Sequence, residues 1–312
     1  MRTEGTDVIY SSSPPESAHL LGMWLKKYSG KPWIMDLRDP WTFEPLNRYL
    51  VEDRTRRNRE EKLERRCFEL ADLIVINTPE AAERYGEVYP GQAAKMQVVT
   101  NGFDSEEFAL VEDNYEPLEG IDGSTFVMSH TGSFSRHTDK DISPEPLLEA
   151  LSKLLKRGTL DPEQHKVVFA GATGPAMKSC IGRLKLTDLV YQAGTVSHID
   201  AVRIMMRSNL LVLYDQSERA EYYIRGKLYE YLAAGKRILG IVPPGAARRL
   251  LESSGQGIFA LPGSSEDIAR AITEALDERD DPVPAPGFDI GIYDRERIAE
   301  RMAGYLDRLT NR

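Results

Sequence analysis

Short runs of apolar and β-branched residues recur along the chain, separated by stretches whose apolar positions return every three or four residues. In the first third, "DVIYSSS" (7–13), "KPWIMDLRD" (31–39), "ADLIVINT" (71–78) and "KMQVVTNGFD" (95–104) read as strands, each running into a polar or glycine-bearing turn. "PPESAHLLGMWLKKYSG" (14–30), with Pro early and Gly late, predicts a helix, and "PEAAERYGEVY" (79–89) predicts another, opened by Thr78 as cap and Pro79 in the first turn. Residues 44 to about 71 are charged, with Leu46, Leu50, Leu63, Cys67 and Leu70 as an intermittent apolar stripe; their arginines read as a solvated face.

Between about 104 and 123 the periodicity lapses and acids, Pro and Gly accumulate, as in a linker. The alternation then restarts. Strands are expected in "TFVMSHTGS", "KVVFAGA", "DLVYQAGTV", "NLLVLYD", "KRILGIV" and "GIFAL", with helices of 10 to 15 residues between them. After the Pro-rich "DPVPAPGFD" a last helical stretch covers about 293–311, with Ile298, Met302, Tyr305 and Leu306 on one side.

Strands joined by helical crossovers imply parallel sheets covered on both faces. The expected fold class is α/β, with two Rossmann-like domains: residues 1–115, residues 116–290, and a C-terminal helix, 291–312, that can pack back on the first. Ligands of such sheets bind outside the carboxyl ends of the strands, so chemistry is expected in the loops that follow them.

Composition narrows the function. A net charge of −9 and 29% charged residues argue against a general nucleic-acid binder, which needs surplus Lys and Arg. No apolar run is long enough to span a membrane, and the first residues lack the order of a signal peptide, so the expected compartment is the cytoplasm. The two cysteines, Cys67 and Cys180, stand far apart and outside any Cys–His cluster, so no disulfide and no metal site is expected. Neither a G-x-G-x-x-G nor a G-x-x-x-x-G-K-[ST] run opens a helix.

The chemistry concentrates in "IRGKLYEYLAAGKRILG" (224–240). Gly226 stands at a helix start, Lys227 in the first turn, Glu230 three residues on along the same face, and Gly235 at the stop. A helix start offers free N–H groups and partial positive charge, suiting a phosphate, to which Arg225 and Lys227 add formal charge; Glu230 could accept from a ribose diol. The same spacing equally suits dipole and ion-pair support with no ligand.

"GKLYEYLAAGKRILG" resembles the donor-site signature of GT-B glycosyltransferases of the family 4 type. The resemblance extends to "VTNGFDSEEF" at the end of the N-terminal domain, "HTGSFSRHTDKDISPEPLLEAL" opening the donor domain, "AGTVSHIDAVRIMMRSNLLVL" beside the base, and "DVIYSSSPPESA" and "KPWIMDLRDPW" in the acceptor domain. It implies that Glu230 holds the donor ribose, that Arg225 and Lys227 lie near the diphosphate, that Gly226 and Leu228 belong to the same donor-binding stretch, and that Gly132 allows close backbone approach to phosphate. Arg136 and Lys140 match the phosphate clamp, Val196, Ser197 and His198 would meet the base, and Arg38 could touch the transferred sugar or phosphate. Bland alternatives remain for several: a solvated basic loop for Arg136 and Lys140, a helix cap for His198, and an Arg38–Asp39 pairing with the long helix.

Two departures from the family pattern stand out. The first glutamate of its E-x7-E motif falls on Tyr222, with Glu221 as neighbour and candidate substitute. The βα units that precede the "DVIYSSS" equivalent in the family have no counterpart here, so the N-terminal domain is expected to be incomplete, with an open sheet edge. The function implied is retaining transfer of a hexosyl group from a nucleoside diphosphate sugar to a glycan or lipid-linked acceptor, with no cofactor and no metal. Peripheral membrane contact at the inner face, and a partner chain completing the N-terminal domain, are compatible with it. The rival readings are a non-catalytic nucleotide-sugar-binding module that needs a partner chain, and a sugar-nucleotide epimerase.

Overall fold

A computed structural model describes residues 5–43, 53–111, 121, 123–134, 143–215, 221–278 and 282–310. The chain divides into two compact units, the first made of Met1–Gly102, Glu221–Ile224 and Gly291–Arg312, the second of Phe103–Ala220 and Arg225–Ile290. The division falls ahead of residue 115, because the expected linker begins with a short helix, Ser105–Ala109, that packs in the second unit.

The first unit carries a parallel sheet in the order β1-β2-β3-β4: β1 Ile9–Ser13, β2 Trp33–Leu37, β3 Leu73–Ile76 and β4 Met96–Val98. The crossovers are α1 (Ser17–Ser29), α2 (Arg54–Leu70) and α3 (Pro79–Val88). Thr78 caps α3, its Oγ1 accepting from the Ala81 N–H at 3.2 Å, with Pro79 in the first position. Strands buried on both faces read as apolar runs. Trp33, Met35, Leu37, Ile74 and Ile76 pack with Cys67, Phe68 and Tyr85 on one face, while Ile34, Leu73 and Val75 meet Met302, Tyr305, Leu306 and Leu309 of the final helix, Arg295–Thr310, on the other.

β1 lies at an edge of this sheet, among the described residues. Beside it α1 presents Leu21, Trp24 and Tyr28 to solvent, with the Trp24 and Tyr28 rings stacked 5.5 Å apart. Beneath α1 the buried His19 Nδ1 is 2.9 Å from Ser11 Oγ, which also accepts from Trp33 Nε1 at 2.8 Å.

The second unit carries a six-stranded parallel sheet in the order β10-β9-β8-β5-β6-β7. Its strands are β5 Phe126–Thr131, β6 His165–Ala170, β7 Val190–Gly194, β8 Leu210–Tyr214, β9 Arg237–Ile241 and β10 Gly257–Ala260. Its helices are α4 Ser105–Ala109, α5 Glu145–Lys156, α6 Pro175–Arg183, α7 His198–Arg207, α8 Gly226–Ala233, α9 Ala246–Ser254 and α10 Ser265–Asp277, and the final helix of the first unit is α11. The chain builds β5, β6 and β7 outward in one direction, then returns to place β8 on the other side of β5. That reversal opens a crevice at the carboxyl ends of β5 and β8, at Gly132 and Asp215.

Candidate functional site

At that switch point the loops after β5, β6 and β7 are knitted by backbone. Gly132 N–H donates to the Ala170 carbonyl and Gly171 N–H to that of Gly194, both at 2.7 Å. Gly132 (φ 149°) and Gly171 (φ 144°) hold conformations that other residues rarely adopt, and each excludes a side chain sterically. A Cβ on Gly171 would strike the Gly132 carbonyl, and one on Gly132 would strike the Lys227 ammonium.

α8 supplies the polar groups. It starts at Gly226 without a side-chain cap, and its first turn contains no acid. Lys227 and Tyr231, one turn apart on one face, both reach Thr131 at the end of β5: Lys227 Nζ donates to the carbonyl at 2.7 Å, and Tyr231 OH accepts from the N–H at 2.9 Å. Beneath the ammonium, 3.5 Å from its Nζ, lies Nε2 of the buried His130, whose Nδ1 is 2.8 Å from the Val212 carbonyl. Burial first, and then the Lys227 charge, hold the His130 pKa well below its ordinary value. His130 is therefore a neutral imidazole: Nδ1–H donates to Val212, and the Nε2 lone pair faces the lysine.

Glu230 projects from the same helix, its side chain only 14% exposed. No described residue hydrogen-bonds its carboxylate; His198 Nε2 stands 3.8 Å from Oε1. A largely buried carboxylate normally has hydrogen-bond donors, so its unused acceptor positions suit a ligand's hydroxyl groups.

The remaining candidates separate by role. Arg225 is gripped by the buried Asp215, Nε to Oδ2 at 2.7 Å and Nη2 to Oδ1 at 3.3 Å, an embrace that fixes the start of α8. Leu228 is fully buried and its N–H donates to the Arg225 carbonyl at 2.9 Å. Val196 is half-buried and packs against the cluster of Val127, Val168, Ala170 and Ile204. Ser197 caps α7, accepting from the Asp200 N–H, and His198 is the first residue of that helix. Arg136 and Lys140 lie outside the described residues.

Two candidates belong to the first unit. Arg38, exposed after β2, donates from Nη2 to Asn101 Oδ1 at 2.5 Å, while Asn77 bridges the same loops through Nδ2 to the Arg38 carbonyl and Oδ1 from the Asn101 N–H. The partner of Arg38 is thus an asparagine after β4. Glu221 is exposed beside Tyr222, which packs edge-on to Phe43 and whose carbonyl accepts from Thr78 Oγ1 at 2.8 Å. Glu221 and Glu230 fall in different units.

His130, Asp215 and Glu107 escaped the sequence reading. Asp215 ends an apolar strand and could have been noticed as an acid at a carboxyl end; His130 and Glu107 gain meaning only from partners 97 and 91 residues away.

No protein-family model matches the sequence, and no curated protein matches it. Solved structures do share the fold. The Anabaena protein Alr3699/HepE, in complex with UDP, superposes with a TM-score of 0.72 at 17% identity, over 98% of this chain and 80% of that one. Sucrose-phosphate synthase from Thermosynechococcus elongatus gives 0.67 at 15% identity, over 98% and 74%. A Listeria monocytogenes protein described as a UDP-N-acetylglucosamine 2-epimerase gives 0.62 at 15%, over 98% and 75%. The two parallel-sheet α/β units are those of the GT-B architecture, which serves more than one reaction on nucleotide sugars.

Proposed function

We propose that the chain is a retaining glycosyltransferase that moves a hexosyl group from a nucleoside diphosphate sugar to a glycan or lipid-linked acceptor. The observation that carries the reading is Glu230: a largely buried carboxylate without a hydrogen bond from any described residue, one turn below the amino end of α8, which has no side-chain cap. In this reading the ribose hydroxyls donate to Glu230. The diphosphate rests against the first N–H groups of α8 and the Lys227 ammonium, with Gly132 admitting it to the backbone. Departure of the diphosphate is the step that develops charge, and fixed dipoles and cations already aimed at it lower that barrier. The family resemblance assigns Arg136 and Lys140 to the phosphate as well. Retention and the acceptor class follow from the family resemblance, and HepE, with UDP bound, supports the donor class.

A second reading has its own observation. The β1 edge, flanked by the exposed Leu21, Trp24 and Tyr28, is a surface on which a partner chain could extend the sheet, making this chain the nucleotide-sugar-binding part of a two-chain enzyme. No helix among the described residues is long and apolar enough to cross a membrane, so contact with a lipid-linked acceptor would be peripheral.

Thermal melting with UDP or GDP tests the site. The midpoint is expected to rise with the cognate diphosphate, and the rise to shrink in Glu230→Ala. No shift with any nucleoside diphosphate would sink the reading. Incubation with the matching nucleotide sugar then separates hydrolysis or transfer from epimerisation and from binding alone.

A further inference from the structure

We infer that Glu107 determines the preference of the site for ribose over deoxyribose, by holding the His198 imidazole away from Glu230; the inference rests on the donor-site reading above. Three side chains carry it. Glu107 stands on α4, which packs against α7, where His198 is the first residue; Glu230 comes from α8. His198 Nε2 lies 2.8 Å from Glu107 Oε2 and 3.8 Å from Glu230 Oε1. A carboxylate only accepts, so Nε2 carries the proton and donates it to Glu107. The second distance is beyond hydrogen-bond reach.

The same N–H thus has two acceptors in range and is committed to one. The ring is 49% exposed and the Glu107 side chain 32%, and among the described residues this is the one side-chain hydrogen bond that the imidazole makes. A displacement of about one ångström would close the distance to Glu230. His198 would then occupy an oxygen of the carboxylate that the vicinal hydroxyls of a ribose need. Glu107 keeps that competitor at a distance and leaves both Glu230 oxygens open to a diol. It touches no ligand, and is a positioning residue.

The experiment measures Kd for UDP, GDP and their 2′-deoxy counterparts by calorimetry on the full chain and its variants. The wild type is expected to favour the cognate ribonucleotide by about tenfold, the worth of one hydrogen bond to a charged group. Glu107→Ala is expected to weaken ribonucleotide binding by about tenfold while leaving the deoxy compound nearly unchanged, so that the preference collapses. Glu107→Gln, which still accepts from Nε2, is expected to keep it. The double variant Glu107→Ala/His198→Ala, which removes the competitor along with its tether, is expected to restore it. A merely structural role for Glu107 would weaken both ligands alike and would not be rescued. If Glu107→Ala retains the preference, or the double variant fails to recover it, the inference is overturned while loss of binding in Glu230→Ala keeps the donor site. If no diphosphate binds, or Glu230→Ala binds as the wild type does, the donor-site reading itself falls.

Discussion

The ammonium of Lys227 donates to the Thr131 carbonyl at 2.7 Å, lying over the peptide that leads into Gly132. The space of a Cβ at Gly132 is therefore already occupied. Gly132→Ala is expected to displace the lysine and to strain a backbone at φ 149°. It should cost about 1–3 kcal/mol in chemical denaturation and abolish the melting shift with nucleoside diphosphate.

Lys227 and Arg225 should part company under mutation. Lys227→Met is expected to weaken diphosphate affinity by at least about tenfold with a modest loss of stability, since the proposed charge-assisted contact to the diphosphate is removed. Arg225→Met leaves the buried Asp215 carboxylate without its guanidinium, and should lower stability by about 3–5 kcal/mol. Isothermal binding and urea unfolding on the two variants read out the contrast.

The Glu64 carboxylate is fully buried and accepts from Thr42 N–H and Oγ1 and from the hydroxyls of Tyr85 and Tyr89, at 2.6 to 3.1 Å. Burial raises its pKa against the pull of those donors. Glu64→Ala orphans four donors and should cost about 3–5 kcal/mol, whereas Glu64→Gln keeps an acceptor and the packing and should cost about 1–2 kcal/mol. The urea midpoint at neutral pH decides between these and a neutral effect.

His19 gives the first unit an acid sensitivity. Burial lowers its pKa to about 4 from an ordinary 6.5, so between those values the unfolded chain binds the proton and the folded one does not. Stability from this group is complete above pH 6.5 and declines as pH falls toward 4, by up to about 3 kcal/mol. Urea midpoints at pH 7 and pH 5 are expected to differ less in His19→Gln than in the wild type. An identical slope in both would remove His19 as the cause.

Much of this was legible in the residue pattern because the strands are buried on both faces: "LIVI" at β3 and "LLVLY" at β8 admit little else. α8 was also readable, from Gly226, the Lys227–Glu230 spacing and the left-handed Gly235 (φ 69°). α4 was not. Its "SEEFA" is too short for periodicity to speak, although Asp104 does cap it, accepting from the Glu106 N–H at 3.1 Å. The neutral state of His130 and the tie between Glu107 and His198 depend on tertiary placement. Local chemistry announced the helix proposed to meet the ligand, while the groups packed around its side chains come from distant segments.

Residues 221–224 are counted with the first unit although the chain on either side belongs to the second, and Tyr222 is their anchor, through Thr78 and Phe43. Anyone wishing to excise the second unit, the proposed nucleotide binder, as a free-standing sensor therefore inherits a four-residue stitch cut loose from its fabric. A polar replacement for Tyr222, with Arg225 and Asp215 left untouched, is the surgery that keeps the amino end of α8 where it stands.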